Sequence, residues 1–309
     1  MKDKVNNHIV YLYSATAVIL WGLSYIWSEK LLGQGIPIEY FVSIRVLFAG
    51  TILLLFNLIA GADMRIHKKD LHKFLLLALC EPLIYFICET YGIALTESPT
   101  YAAMIVASTP IFALAAGTLF FKEKMRAVNI VGTVICIFGI LLMTATSGGV
   151  GKHFVLGIIL LALAVFAEVG QASCTKWLAG DYKPQVITMY QFLIGGAYLT
   201  PVFFLKGLNR FDPALYLSWS VWEPILFLAV LCSCLSFTLW VGSIKNLGVA
   251  RSAVLQSLIP VVTAVAGIIQ GTEILGGLQW LGIAVASAGV ILSQLNTERK
   301  SGRKSSTPR

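Results

Sequence analysis

The sequence predicts an all-α polytopic membrane protein with ten transmembrane helices in two inverted five-helix repeats. Three observations lead to this fold class. Of 309 residues, 57% are hydrophobic and only 12% are charged, against about 25% charged in a typical soluble domain. The apolar residues form repeated stretches of about 20 residues, the length that crosses ~30 Å of hydrocarbon. The two halves of the chain also match each other in sequence.

The ten predicted spans are residues 9–29, 38–60, 72–95, 99–121, 128–146, 154–178, 185–205, 223–245, 250–271 and 276–295. The first is too long and too aromatic for a signal peptide and lacks a small-residue cleavage site, so we keep it as a helix. The connections are short and leave no room for a soluble domain. Residues 297–309 are polar and basic and are predicted to form a disordered cytoplasmic tail.

The basic residues predict the orientation. With both termini cytoplasmic, 18 of the 23 Lys and Arg residues fall in cytoplasmic segments, four fall outside, and Arg45 lies within a span. Cytoplasmic loops carry the excess of Lys and Arg, so we expect a multi-pass protein of the cytoplasmic (inner) membrane with both termini inside. The same residues explain the net charge of +8 without a nucleic-acid partner, because they face an anionic leaflet.

An internal duplication divides the chain. Residues 101–143 align without a gap with residues 251–293, at an offset of 150. The aligned identities include Pro110 with Pro260, Ala116 with Ala266, Gly117 with Gly267, Glu123 with Glu273, Gly132 with Gly282, and Gly139 with Gly289. An odd number of spans per repeat inverts the second repeat, an architecture common among secondary transporters. We therefore predict a first repeat at 1–148 and a second, inverted repeat at 149–296.

The duplicated prolines and glycines have structural and functional interpretations. Pro110 and Pro260 lie within equivalent spans and are candidate hinges, although a static bend that aids packing explains them equally well. The paired glycines are expected to let helices approach closely.

With these features the sequence resembles the EamA-type branch of the drug/metabolite transporter superfamily. The resemblance rests on the two inverted halves, on the prolines within spans, and on a Glu followed nine residues later by a Gly in each half. The segments WGLSYIWSEKLL and PIEYFVSIRVLFAG are similar to the first two helices of that family. The resemblance covers about residues 9–295 and implies a transporter fold, often that of an exporter of amino acids or other small metabolites.

The stretch CEPLIYFICETYG places two acids inside an apolar run. A carboxylate at bilayer depth costs about 2.5–3.5 kcal/mol and normally faces a protein interior or a watery cavity. Helical spacing puts Glu81, Tyr85 and Glu89 on one broad face. At about 1.5 Å of rise per residue, Arg45 lies level with Glu89, and Glu168 lies level with Glu81.

Two polar layers are therefore predicted around a translocation cavity. The outer layer pairs Arg45 with Glu89, as a gate, as an anchor for a charged substrate group, or as a purely structural pair. The inner layer consists of Glu81, Glu168, Gln191 and Gln256. Two carboxylates sharing a site do not easily both ionise, so Glu81 and Glu168 are the candidates for proton coupling. The alternative is that either acid stays protonated and bonds a neighbouring carbonyl.

Aromatic residues supply the remaining candidates for the cavity lining. These are Trp21 and Tyr25 in the first span and Trp240 in the eighth. Trp21 lies too deep to be an interfacial anchor. It either packs a helix interface or lines the cavity, where its ring face would suit an apolar or cationic solute.

The predicted function is a secondary active transporter of small organic metabolites such as amino acids, working by alternating access, with protons as a candidate coupling ion. The resemblance favours export. An exporter of cationic drugs or other xenobiotics is the alternative. An intramembrane lipid-modifying enzyme is disfavoured, because the four histidines lie at termini, loops or span edges and no HExxH or GxSxG motif occurs. No GxxxxGK[ST] nucleotide-binding loop occurs either.

The expected partners are the small-molecule substrate, the lipid bilayer and protons. No metal and no other cofactor is expected. The six cysteines lie within predicted spans and show no metal-ligand or disulfide spacing, so we interpret them as buried apolar groups.

Overall fold

The computed structural model describes residues 7–109, 111–112, 127–145, 153–207, 218–247, 255–256, 258–271 and 274–294. Over these residues the fold is helical throughout and contains no strand. The predicted tail at 297–309 lies outside the described residues.

The α-helices in chain order are α1 (Asn7–Gly33), α2 (Ile38–Ile59), α3 (Leu71–Ala78), α4 (Tyr85–Thr96), α5 (Pro99–Val106), α6 (Ala127–Ala145), α7 (Phe154–Leu178), α8 (Pro184–Val202), α9 (Trp219–Leu226), α10 (Ser236–Leu247), α11 (Ile259–Gln270) and α12 (Gly277–Gln294). A 3₁₀ turn precedes α3 at Lys68–Asp70. The π-helical segments are Leu79–Ile84, Phe203–Gly207 and Phe227–Leu235.

Local sequence signals explain several helix ends. The Ser98 hydroxyl accepts a hydrogen bond from the Tyr101 amide, and Pro99 occupies the first turn of α5, where its missing N–H costs nothing. Gly271 ends α11 at φ +71°, a left-handed conformation that glycine adopts without steric penalty. These ends agree with the positions where the sequence predicts the spans to begin or stop.

Six helical segments of the described residues are long and apolar enough to cross a membrane. They are Ile9–Gly33, Ile38–Ile59, Lys68–Thr96, Phe154–Leu178, Pro184–Leu205 and Trp219–Asn246. Shorter apolar helices occur at Ile130–Gly139 and Ile259–Gln270. Large apolar side chains also remain exposed on the outside of the bundle, such as Ile59 (88%) and Ile269 (80%). Both features identify a multi-pass membrane protein, because lipid replaces water around such surfaces.

Small residues join α6 to α12, the most extensive helix pair of the described chain. Gly139 lies against the backbone of Ala286, and Gly289 lies against the backbone of Cys136. A methyl group on either glycine would overlap the facing helix. The duplicated glycines at these two positions therefore serve close helix packing, as the sequence indicates.

The other helices surround a shared core. Helix α1 packs against α10 and α11, α2 packs against α8, and α4 packs against α7. Aromatic rings fill the centre of this core: the Phe192 and Phe237 rings lie 5.2 Å apart, and the Phe86 ring lies 6.2 Å from Phe237. The cavity described below lies beside these rings.

The third predicted span is interrupted at Pro82. Its neighbour Glu81 has extended backbone angles (φ −148°, ψ 122°), because a residue before proline disfavours the α conformation. The Glu81–Pro82 peptide bond is cis. The π-helical segment Leu79–Ile84 bridges the interruption. A second π-helical segment, Phe227–Leu235, interrupts the eighth predicted span, and such segments are frequent at functional sites.

Candidate functional site

An internal cavity lies between the helices of both halves of the chain. It contains about 460 Å³ of empty space, counting the part that opens out of the protein. Its lining residues are Trp21, Ser24, Tyr25, Arg45, Glu81, Tyr85, Phe86, Glu89, Val106, Glu168, Gln171, Phe237, Trp240 and Ile259. Carboxylates, one guanidinium and aromatic rings thus share one enclosed space, a mixture typical of a binding site for a polar organic molecule.

A short chain of hydrogen bonds holds Glu89. The Tyr85 hydroxyl donates to Glu89 Oε1 at 2.8 Å, one helical turn away on α4. The Tyr25 hydroxyl of α1 lies 3.5 Å from the Tyr85 hydroxyl. All three side chains are buried. The Glu89 carboxylate is therefore held by phenol donors, which satisfy the polar group inside the bundle.

Arg45 is held by a different partner from the one that the sequence suggests. Its Nε donates to the Ser233 hydroxyl at 2.9 Å, and its guanidinium carbon lies 4.1 Å from the centre of the Phe86 ring. Among the described residues, no ion pair links Arg45 to Glu89. In the described structure, Ser233 of the π-helical segment Phe227–Leu235 bonds Arg45 in place of the expected partner.

Glu168 is engaged from two helices. Thr109 Oγ1 donates to Glu168 Oε2 at 2.6 Å, and Gln256 Nε2 donates to Glu168 Oε1 at 2.9 Å. Both donors lie in the segments that the duplication aligns. The Glu168 carboxylate therefore connects the two halves of the chain.

Glu81 contrasts with the other two acids. It is only 4% exposed and lines the cavity, yet within the described part of the chain its carboxylate receives no hydrogen bond. The backbone at this position is extended and breaks the helix. Glu81 is thus the carboxylate that remains available for an external partner.

An aromatic wall closes one side of the cavity. The Trp21 ring contacts the Trp240 ring at 5.2 Å and the Phe237 ring at 5.1 Å, both edge to face. Trp21 Nε1 donates to the Cys232 carbonyl at 3.2 Å, a group in the interrupted segment. Trp21 therefore both packs a helix interface and lines the cavity, which joins the two interpretations left open by the sequence.

Most of the residues singled out from the sequence come together here. Those that line the cavity are Trp21, Tyr25, Arg45, Glu81, Tyr85, Glu89, Glu168 and Trp240. Gln256 reaches it through Glu168. Gln191 is fully buried but does not line the cavity. Pro260 lies in the first turn of α11, and Pro110 lies outside the described residues. Their roles stay predictions.

Several residues of the site were missed by sequence reasoning. Gln171 follows Glu168 by three positions and so shares its helix face, a signal that was available. Ser24 stands in the same relation to Trp21. Phe86, Phe237 and Ser233 carry no such signal, because they are ordinary core or helix residues in an apolar stretch. Only the packing of α4, α10 and the π-helical segment Phe227–Leu235 brings them to Arg45 and Trp21.

The charges of the site favour a positively charged group. Three carboxylates face the cavity with one guanidinium. An amine or a proton would offset the excess of acid, whereas Arg45 suits a carboxylate. In the described part of the chain, no group of three or more His, Cys, Asp or Glu side chains is arranged to hold a metal ion.

The fold and cavity together define a polytopic membrane protein built around a polar internal binding site. The sequence model of the EamA-like transporter family matches residues 8–145 and again residues 155–295. The chain belongs to the EamA-like transporter family. General transporter function follows from this membership, with a small-molecule substrate and the lipid bilayer as partners.

Curated relatives also carry transporter names. An "Uncharacterized transporter" of Archaeoglobus fulgidus is 26% identical over 260 residues, covering 83% of this chain and 88% of that protein. A "Probable terminal-alkyne amino-acid exporter" of Streptantibioticus cattleyicolor is 25% identical, covering 81% and 82% of the two chains. The "Uncharacterized transporter YdfC" of Bacillus subtilis is 26% identical over 89% of each chain.

A solved crystal structure has a similar fold. The TM-score is 0.69 at 14% sequence identity, and the match covers 92% of this chain and 96% of the other. At this identity the likeness concerns the fold alone. It extends the agreement from the sequence families to the arrangement of the helices.

Proposed function

We propose that this protein is a secondary active transporter that exports small amine-bearing metabolites, amino acids foremost, across the cytoplasmic membrane by alternating access coupled to protons. The observation that carries the proposal is the buried cavity in which Glu81, Glu89 and Glu168 face one arginine and an aromatic wall. Buried ionisable groups in a membrane protein mark substrate and proton pathways.

The proposal includes ten transmembrane helices in two inverted repeats, 1–148 and 149–296, with both termini cytoplasmic. The twofold match of the family model supports it. Helix packing supports it too, because contacts in one half have an equivalent in the other. The contact of α4 with α7 corresponds to that of α10 with α1, and the contact of α5 with α7 corresponds to that of α11 with α1. Two equivalent halves can exchange conformations and open a central site to each side in turn.

The site has a partner for each charge of an amino acid. Glu81 has an uncommitted carboxylate for an ammonium group. Arg45 keeps its terminal guanidinium nitrogens for a carboxylate, because only its Nε is bonded to Ser233 among the described residues. The rings of Trp21, Phe237 and Trp240 would contact the apolar side chain. A zwitterion would therefore satisfy groups that are otherwise costly to bury.

Organic cations are the second candidate substrates. The excess of carboxylates over the single guanidinium favours a net positive solute. The faces of the Trp21 and Trp240 rings add cation–π attraction, worth about 0.5–2 kcal/mol. A cationic drug would use Glu81 and these rings and leave Arg45 unused. The two candidates therefore differ in their need for Arg45.

Exchange in liposomes tests the function. Purified full-length protein would be reconstituted with one unlabelled solute inside, and uptake of the same radiolabelled solute would be measured across amino acids and organic cations. A trapped pH-sensitive dye would report proton movement in the same vesicles. We expect saturable counterflow of one or more amino acids, with proton movement that depends on the solute.

The outcomes separate the candidates. Counterflow restricted to amines without a carboxylate would select the organic-cation function. Counterflow without proton movement would leave a transporter with another coupling ion or none. Appearance of a chemically altered solute would contradict transport and indicate an enzyme.

A further inference from the structure

An apolar cluster closes one end of the cavity. It joins α3, α7, α8 and α10 through four buried side chains, which we call the plug: Leu77, Cys174, Ile187 and Val241. Phe74 and Leu178 belong to the same cluster. The plug residues are each at most 1% exposed, so these four side chains are tightly packed at this level of the bundle.

A polar layer separates the plug from the cavity. On each of the four helical segments, a polar residue lies three or four positions from the plug residue, on the side of the cavity. We call these residues the polar layer: Glu81, Gln171, Gln191 and Thr238. Residues three or four apart on one helix share a face, which places Gln171, Gln191 and Thr238 on the faces of their plug residues. Glu81 follows Leu77 across the break before Pro82. Glu81 and Gln171 also line the cavity, which fixes the direction.

The position of Gln191 agrees with this layering. Four residues before it, Ile187 belongs to the plug. Four residues after it, Gly195 lies against the Pro82 ring, next to Glu81. Its neighbour Phe192 contacts Phe237 of the cavity wall at 5.2 Å. Gln191 thus lies between the plug and the level of the cavity.

The polar layer holds an unusual number of unsatisfied groups. Within the described structure, Gln171 Nε2, both amide atoms of Gln191 and Thr238 Oγ1 are buried without a hydrogen-bond partner. Gln191 is 0% exposed and Gln171 is 2% exposed. Buried polar groups are nearly always bonded, and exceptions need an explanation. Groups that bind a passing solute would be left unbonded while the solute is absent.

Beyond the plug, a set of polar contacts fastens the end of the bundle. We call this set the clamp. Asp70, only 1% exposed, accepts hydrogen bonds from Lys73 Nζ at 2.7 Å and from the Tyr182 hydroxyl at 2.9 Å. The Tyr182 ring belongs to the same apolar cluster as the plug, and Lys245 Nζ bonds the Tyr182 carbonyl at 3.4 Å. Clamp, plug and polar layer therefore form one continuous column.

We propose that this column is the closed half of the translocation path and that the polar layer is a second solute-binding station. The inference rests on the proposed function. When the plug opens, the station receives the head group of an amino acid from the cavity. Gln171, Gln191 and Thr238 donate hydrogen bonds to the solute carboxylate, and Glu81 keeps the ammonium group. The solute then leaves or enters past the clamp.

The station is tested by separating binding from transport. The variant Gln191→Leu removes the amide without touching the cavity lining. With the amino acid that gives the largest wild-type counterflow, we expect exchange to fall roughly tenfold, the effect of losing one to two hydrogen bonds. Binding in the cavity, read from quenching of tryptophan fluorescence, should remain. Gln270→Leu, at an exposed glutamine at the end of α11, is the matched control.

The plug is tested through its own cysteine. In protein that keeps Cys174 and has the other five cysteines replaced by alanine, alkylation by N-ethylmaleimide should be slow. Ile187→Ala should accelerate it by about tenfold, because it opens space beside the thiol. Asp181→Cys, at an exposed loop position on the same end of the bundle, gives the alkylation rate of an accessible thiol for comparison. A membrane-impermeant thiol reagent should reach Cys174 only from the side of the clamp.

The results are decisive in each direction. The station is overturned if Gln191→Leu exchanges solute at the wild-type rate, or if it loses binding and exchange to the same extent. The proposed function stands in either case. Alkylation of Cys174 as fast as that of Asp181→Cys overturns the plug. If the wild-type protein exchanges no amino acid, both the proposed substrate and the station are wrong. Slow alkylation of Cys174 would in that case support only the closed column.

Discussion

Pro82 lies directly against Gly195 of α8, so closely that a methyl group on Gly195 would overlap the Cγ and Cδ atoms of the proline ring. This contact joins the interrupted third span of the first half to the seventh predicted span in the second. The packing of Pro82, the residue after Glu81, therefore depends on a glycine of another helix.

Replacing this glycine should disturb both stability and the site. Gly195→Ala forces Pro82 away from α8, and overpacking of this kind costs about 1–3 kcal/mol. We expect a lower melting temperature in detergent and weaker solute binding. Gly242→Ala is the control, because nothing lies within 4 Å of an added methyl group there. Equal melting temperatures for the two variants would contradict this account of the contact.

The three cavity acids should differ in their role in proton movement. Thr109 and Gln256 already engage Glu168, and Tyr85 engages Glu89. Glu81 has no such donor among the described residues. Glu81→Gln should therefore abolish solute-dependent proton movement in liposomes, and it should weaken but not abolish counterflow, because the amide still accepts a hydrogen bond from the solute ammonium group.

Glu168→Gln provides the contrast. It should retain some proton movement but lower the melting temperature, because a neutral amide forms weaker hydrogen bonds with Thr109 and Gln256 than the carboxylate does. Glu223→Gln, at an exposed ion pair with Lys30, controls for general effects of charge. If Glu168→Gln alone lost proton movement, Glu168 and not Glu81 would be the residue that couples transport to protons.

Arg45 should select solutes that carry a carboxylate. Ser233→Ala removes the hydroxyl that positions Arg45 Nε. We expect affinity for an amino acid such as phenylalanine to fall about tenfold, the value of one hydrogen bond to a charged group. Affinity for phenethylamine, which lacks the carboxylate, should not change.

Ser236→Ala is the matched control, because its hydroxyl bonds the Leu231 carbonyl and does not contact Arg45 in the described structure. The measurement is fluorescence titration of both ligands against the wild type and the two variants. An equal loss for both ligands in Ser233→Ala would mean that Arg45 does not contact the solute carboxylate.

The helices and the content of the cavity were predictable because both follow from local rules. Length and hydropathy predict spans. A carboxylate in such a span must face the interior, which is why Glu81, Glu89 and Glu168 were found. Spacing along a helix correctly grouped Tyr85 with Glu89.

The partners across helices were less predictable. Rise per residue gives depth, but it does not say which helix lies opposite. Arg45 and Glu89 were expected to pair because they are level, yet Arg45 bonds Ser233. Ser233 lies in the π-helical segment Phe227–Leu235, and no single residue of that stretch predicts a bond to Arg45. Gln191 was predicted to line the cavity, but it is fully buried and is not among the lining residues.

The stability that the clamp contributes should depend on pH. Burial, with the neighbouring Asp70 carboxylate, raises the pKa of the Tyr182 phenol above its usual value. Because the pKa is higher in the folded protein, this phenol contributes stability that is fully present below about pH 10, the unfolded value. The contribution is lost as pH rises through the folded pKa, where the hydroxyl stops donating to Asp70.

Tyr182→Phe should therefore lower the melting temperature by a few degrees at pH 7 and show a shallower decline than the wild type above pH 10. Thermal unfolding in detergent between pH 7 and 11 measures both effects. Tyr11→Phe, at a 43% exposed tyrosine, is the control. A variant as stable as the wild type at pH 7 would show that the clamp does not depend on Tyr182. A weakened clamp should also speed alkylation of Cys174, because Tyr182 and the plug belong to one packed cluster.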